Sequence, residues 1–167
     1  MIAPDKVKSK GEKLEGQNIR FRAFLKNRAD DDELDAHFLR LHKELFSDYD
    51  CSKCNNCCKS LTITLDDGEV AAIAGFLGQS ASDFAAAHLV EDDGQHAFKA
   101  RPCEFLGDNG QCGIKSCRPA VCEGYPYTDR PGRLSRMLSV VYSAEVCPVV
   151  FEILERLKEI YRFRNRG

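Results

Sequence analysis

Cys51-Ser-Lys-Cys54-Asn-Asn-Cys57-Cys58 places four cysteines in eight residues. Two-residue gaps let neighbouring thiolates turn toward one centre, and the adjacent pair supplies a further sulfur facing elsewhere. Five more cysteines follow, Cys103, Cys112, Cys117, Cys122 and Cys147, making nine in a chain of 167 residues. Soft donors in this number and spacing point first to metal ligation.

A disulfide framework is the competing reading, and it needs an oxidising compartment. The opening Met1-Ile-Ala-Pro-Asp-Lys-Val-Lys-Ser-Lys lacks the apolar core and small-residue cleavage site of a secretory signal. An odd count would also leave one thiol over. The expectation is therefore a cytoplasmic protein with reduced cysteines. No apolar run approaches the roughly 18 to 20 residues needed to span a bilayer, so no membrane partner is expected.

With 43% hydrophobic residues, 30% charged residues and a formal charge of −2, the composition is that of an ordinary globular chain. Such a balance gives no global attraction to nucleic acid. Both ends are locally basic: Lys6, Lys8, Lys10, Lys13, Arg20 and Arg22, then Arg156, Lys158, Arg162, Arg164 and Arg166. No nucleic-acid reading motif accompanies these charges, which read as solvated termini, and no nucleic-acid partner is expected.

Along the chain, residues 1–16 are polar, rich in Lys and Glu, and expected to be mobile. Ile19, Phe21, Phe24 and Leu25 permit a short amphipathic helix over residues 18–26. Asp30-Asp-Asp-Glu-Leu-Asp reads as a capped helix start, its carboxylates favoured by the helix dipole. Leu34, Phe38, Leu41, Leu45 and Phe46 then share one face. His37 and His42 lie in this helix without a ligand partner at metal-site spacing. Leu61-Thr-Ile-Thr-Leu65 alternates as a short strand. Asp66 and Glu69 form a capping-box pattern before Val70, Ile73, Ala74 and Leu77, with Gly78 as a stop. Ser80 or Ser82 caps a second helix through Phe84, Ala85, His88 and Leu89, and residues 95–100 read as another strand, in which His96 is a weak ligand candidate set aside.

Gly107-Asp-Asn-Gly110 is a turn signal that would set Cys103 and Cys112 on two arms of a hairpin, with Ile114 directed to the core. Cys117-Arg-Pro-Ala-Val-Cys122 opens a short helix, Pro119 being tolerated in its first turn. Cys147-Pro148 repeats that arrangement before a final helix whose stripe is Val149, Ile153, Leu157 and Ile160 or Tyr161. The fold expected is mainly α with a few short β-strands and hairpins. It is a small single domain organised around a cysteine metal cluster over residues 17–167, with its core motifs in 48–150.

Zinc and iron–sulfur chemistry both want four cysteines. Cys51-x2-Cys54-x2-Cys57 with a distant Cys147-Pro148 echoes a ferredoxin run, but Cys58 intrudes, and two CxxC knuckles at zinc-ribbon separation are absent. Spacing alone leaves zinc, iron and a [4Fe–4S]-type cluster open. Four thiolates around Zn²⁺ carry a net charge of −2, and Lys53, Lys59, Arg101, Lys115 and Arg118 interleave the cysteines and could offset it.

The ordered motifs Cys51-x2-Cys54-x2-Cys57-Cys58, Leu61-Thr before Asp66, Pro102-Cys103-x-Phe105-Leu106, Cys112-x-Ile114, Arg118-Pro119-x-x-Cys122 and Cys147-Pro148 resemble the CxxCxxCC (YkgJ-like) family of zinc- or iron-chelating domain proteins. That family includes the flagellin lysine N-methylases. The resemblance implies a metal-site set of Cys51, Cys54, Cys57, Cys58, Cys103, Cys112, Cys122 and Cys147. Cys117 looks extra to the pattern and reads as a small packed residue. Lys115 and Glu123 stand where the family usually has an aromatic residue and Arg.

The function expected is metal binding through clustered cysteines. An alternative is a metal-dependent protein-modifying or redox enzyme, lysine N-methylase-like, and a third is a zinc-stapled interaction module whose protein partner the sequence does not name. Gly75 and Gly78 make no GxGxxG nucleotide loop. Glu104, Tyr125 and Tyr127 lie near the cysteines as acid–base candidates, with packing the plainer role for each.

Overall fold

The computed structural model describes residues 1–164, so Arg166 of the basic tail lies outside the described residues. In chain order the elements are α1 (Val7–Arg28), α2 (Asp31–Phe46), α3 (Cys51–Cys54), α4 (Asn56–Ser60), β1 (Thr64–Leu65), α5 (Asp67–Phe76), α6 (Ala81–His88), β2 (Leu89–Asp92), β3 (Gln95–Phe98), α7 (Ala120–Glu123), α8 (Met137–Ser143) and α9 (Pro148–Ile160). The fold is mainly helical with one small antiparallel sheet, strand order β1-β3-β2. No helix among the described residues is long and apolar enough to cross a membrane. Within this fold the chain forms two compact units, one from residues 1–50 and 126–167, the other Cys51–Tyr125.

The first unit packs α1, α2, α8 and α9. Asp30 caps α2, its carboxylate accepting from the amides of Asp32 and Glu33 at 3.1 and 3.0 Å. Leu34, Phe38, Leu41 and Leu45 form the buried stripe anticipated from their spacing. Cys147 stands at the N-cap of α9 with Pro148 in the first turn, and Val149, Ile153 and Leu157 are buried with Val150 and Leu154.

The polar run 1–16 holds the start of a helix longer than the one read over residues 18–26: α1 begins at Val7, which is 1% exposed, and runs unbroken through those residues. Sparse apolar residues suffice here because Gly11 lets the helix backbone approach closely. A Cβ at that position would meet Glu145 Cα at 2.8 Å and the Ala144 carbonyl oxygen at 3.1 Å. Two of the basic C-terminal residues are also engaged. Arg156 reaches Glu44 at 2.5 Å and Glu152 at 3.2 Å, and Lys158, 6% exposed, meets Glu155 at 2.6 Å and Gln17 at 3.2 Å.

The second unit has its own core of Leu65, Val70, Ile73, Ala74, Phe84, Leu89, Phe98 and Ile114. The capping box of α5 is present, Asp66 accepting from the Glu69 amide and Glu69 from the Asp66 amide. Ser80, rather than Ser82, caps α6. The strand expected over Leu61–Leu65 shortens to Thr64–Leu65, paired with Ala97 and His96 of β3. Leu89, expected in a helix, instead opens β2. Asp93 and Gly94, at φ 50° and 76°, make a two-residue turn with both residues left-handed, which returns the chain as β3.

Candidate metal centre

Cys51 and Cys54 span the single turn of α3, and Cys57 and Cys58 lie on α4. Asn55 joins the two turns at φ 56°, a left-handed conformation to which Asn is suited. Its side chain donates to the Ser52 carbonyl at 2.6 Å, and its amide to that of Cys51 at 3.0 Å. Cys51 is exposed and Cys54 buried; Cys57, Cys58, Cys103, Cys112, Cys117 and Cys122 are half-buried. No disulfide joins any of the nine cysteines.

The second cysteine group is tied to the first through the backbone. The Cys103 amide donates to the Cys58 carbonyl at 2.8 Å. Beyond Cys103 the expected turn forms, with Gly110 donating to Gly107 at 2.8 Å and Leu106 bridging Cys112 across it. Gly110 has φ 77°, and a Cβ there would strike the Ser52 carbonyl and approach Asn55 Nδ2 at 2.8 Å. Only a glycine lets this hairpin lie against the α3–α4 segment. Ile114, 2% exposed, anchors the far arm in the core, and Cys117 packs against the same cluster.

Cys122 arrives on α7, whose first amide, that of Ala120, donates to Glu69 Oε1 at 2.8 Å. Glu69 therefore closes the capping box of α5 with one oxygen and, with the other, accepts from an otherwise orphan donor of α7. This double role is absent from the sequence pattern. So is the partner of Glu104: His88 Nδ1 lies 2.6 Å from Glu104 Oε2. Glu104 follows Cys103 directly in the chain, with Phe105 packed on Phe84, His88 and Phe98.

Cys58, Cys103, Cys112 and Cys122 come from four separate stretches of chain, and each acts electrostatically on others of the set. Burial works against the positive charge of Arg118, but interaction with the Cys112, Cys58 and Cys122 sulfurs outweighs it and holds Arg118 above its ordinary value. The four thiols are not alike. The hydrogen bond with Cys57, whose Sγ lies 4.0 Å away, brings Cys58 down to about 6 against burial, helped by Arg118 and Lys59. Burial pushes Cys103 up, and it pushes Cys122 up to about 12, with Cys58 and Cys103 adding to the rise.

Among the described residues no three His, Cys, Asp or Glu side chains are drawn up around a single point as a ready ligand shell. The chemistry of the donors nevertheless fits zinc or iron, since the soft sulfurs of Cys51, Cys54, Cys57, Cys58, Cys103, Cys112 and Cys122 all belong to one small unit. The histidines are occupied elsewhere: His37 with Glu33 at 3.4 Å, His42 with Thr128 at 2.8 Å, and His96 with Asp67 at 3.8 Å. Cys147 belongs to the first unit, where its amide donates to the Ser143 carbonyl at 2.8 Å. Tyr125 closes the second unit. Tyr127 belongs to the first, where Arg130 lies 4.3 Å above its ring.

A family model described as "Putative zinc- or iron-chelating domain" matches residues 50–148. The chain belongs to the CxxCxxCC family. No curated protein and no solved structure matches it. Membership in the CxxCxxCC family supports metal binding in general, and its description names zinc or iron without choosing between them.

Proposed function

We propose that the second unit chelates zinc or iron through Cys58, Cys103, Cys112 and Cys122, with Cys51, Cys54 and Cys57 as further donors on the first segment. One observation carries this reading: the Cys103 amide donates to the Cys58 carbonyl at 2.8 Å and Gly110 lies against Ser52 and Asn55, so the Cys103–Cys112 hairpin is laid on the Cys51–Cys58 segment. Thiolates gathered in this way repel one another, and a cation among them turns that repulsion into binding energy. A closed four-sulfur zinc would staple the loops, whereas iron would add redox chemistry. The protein residues supply the rest of the site. Glu69 fixes the approach of α7, Gly110 allows the Cys103–Cys112 hairpin to close on the first segment, and Ile114 anchors it to the core.

Cys147, the remaining member of the implied ligand set, stands outside this proposal because it lies in the first unit.

The test is metal analysis with an absorbance spectrum on anaerobically purified protein. Colourless protein carrying about one or two zinc ions per chain supports a structural chelator. Iron with inorganic sulfide and a broad thiolate-to-iron band supports the cluster form and moves redox roles to the front. Protein that holds neither metal after purification and takes up neither on reconstitution overturns the proposal.

A further inference from the structure

Of the basic residues at the C-terminal end, Arg156 and Lys158 have carboxylate partners, whereas the side chains of Arg162 and Arg164 meet none among the described residues. Both line an open cleft of about 380 Å³ in the first unit, beside Gln17 of α1 and Glu155, Lys158 and Glu159 of α9. That volume suits a small molecule. Lys158 is the buried cation of the cleft, and its ammonium gives one N–H to Glu155 and one to Gln17. Its third donor has no partner among the described residues.

The backbone holds the two arginines in place. At the end of α9 the Phe163 amide donates to the Lys158 carbonyl at 2.8 Å and the Arg162 amide to that of Glu159 at 3.0 Å. These are the two bonds of a Schellman motif. Phe163 packs its ring on those of Phe21 and Phe24, at 5.1 and 5.4 Å between centroids, and so ties the segment to α1. Arg162 takes the left-handed position of the motif at φ 49°, where glycine is the usual residue. An arginine kept in a strained position, with no protein partner for its guanidinium, has its use in a ligand.

We propose that this cleft binds a small molecule through a carboxylate or phosphate group, held by Arg162 and Arg164 with Lys158 as the buried cation of the site. Cations outnumber carboxylates three to two in the lining, and Glu155 is already paired with Lys158. A guanidinium presents its donors in a planar fork that matches two oxygens of either group. Glu159 is left to accept from a hydroxyl or ammonium elsewhere on the same molecule.

The test titrates the full chain with inorganic phosphate and, separately, with succinate, following backbone amides by NMR. Saturable shifts at Gln17 and at Arg162 to Arg164 are expected with at least one of the two. Phosphate alone would identify a phosphoryl group, and succinate alone a carboxylate. Losing a charge-assisted contact weakens binding about 10- to 100-fold, so Arg162→Gly and Arg164→Gln are each expected to raise Kd in that range. Glycine also relieves the left-handed position, so Arg162→Gly should keep or raise the thermal midpoint while it loses affinity. Lys43→Gln removes a unit charge from an exposed position on α2 and should bind as wild type does.

No saturable shift with either anion would overturn the proposal, as would shifts confined to the cysteine-bearing unit. Wild-type affinity in both arginine variants would overturn it too, and so would an equal loss in Lys43→Gln, by reducing the effect to net charge. If Arg162→Gly fails to fold, Arg164→Gln, on an exposed side chain, decides the matter.

Discussion

His88 Nδ1 and Glu104 Oε2 meet at 2.6 Å, joining the C-terminal end of α6 to the residue that follows Cys103. Together with Phe105, packed on Phe84 and His88, the pair docks the Cys103 arm onto the core of the second unit. A side-chain hydrogen bond of this kind contributes about 1 kcal/mol net. His88→Gln and Glu104→Gln are each expected to lower stability by about that amount. The double variant should lose less than the sum. Denaturant midpoints of the four proteins give the coupling, and strict additivity would show that the pair does no docking.

Gly110 and Gly75 should respond oppositely to alanine. At Gly110 a Cβ meets Ser52 and Asn55 in a left-handed conformation, so Gly110→Ala is expected to lose about 1 to 3 kcal/mol. It should also weaken metal uptake, because the hairpin carrying Cys103 and Cys112 can no longer close on the first segment. Gly75, on α5, has nothing within 4 Å of its added Cβ, so Gly75→Ala should gain about 0.5 kcal/mol. Chemical denaturation with metal stoichiometry checks both.

Gly11 tests the close approach at α1. Alanine is the better helix former by about 1 kcal/mol. Against that, its Cβ would lie 2.8 Å from Glu145 Cα, where overpacking costs about 1 to 3 kcal/mol. Gly11→Ala should therefore be destabilising, read as a lower thermal midpoint. A raised midpoint would mean that the start of α1 does not pack in this way.

His42 makes stability depend on pH. Burial lowers its pKa from 6.5, with Asp129 pulling the other way, while its Nδ1 meets the buried Thr128 hydroxyl at 2.8 Å. The folded chain thus binds a proton less readily than the unfolded one, so the contribution is present above pH 6.5 and is lost as the pH falls below it, through the depressed folded value. Between pH 8 and pH 5 the wild type should lose more stability than His42→Asn. Equal losses in the two proteins would show that His42 is not the group responsible.

Metal removal should act on loops before helices. Structural zinc supplies roughly 10 to 16 kcal/mol in finger peptides, comparable to the whole stability of a domain. After treatment with a chelator, amides around Cys58 and in the Cys103–Cys112 hairpin should exchange fastest. Those of α5, which has the core of Val70, Ile73 and Ala74, should stay protected longer. Hydrogen exchange measured by mass spectrometry resolves these segments, and unchanged exchange at the cysteine loops would exclude a stapling role.

The amino-acid sequence by itself determined what short-range physics controls. The Asp30 and Ser80 caps, the Asp66–Glu69 box, the Cys147-Pro148 helix start and the Gly107–Gly110 turn each depend on bonds across two to four residues. The order of cysteine motifs likewise carried the family. The Asp93-Gly94 turn was not read from the sequence, because Leu89 continues the helical spacing of α6; strand pairing with Phe98 overrides that spacing. Only the tertiary structure decided which groups meet across long separations. It joined residues 1–50 to 126–167 in one unit, gave Glu69 its second partner in Ala120, and paired His88 with Glu104. The physical reason is that such contacts form only when distant segments pack, and packing depends on shape and space that no local spacing records.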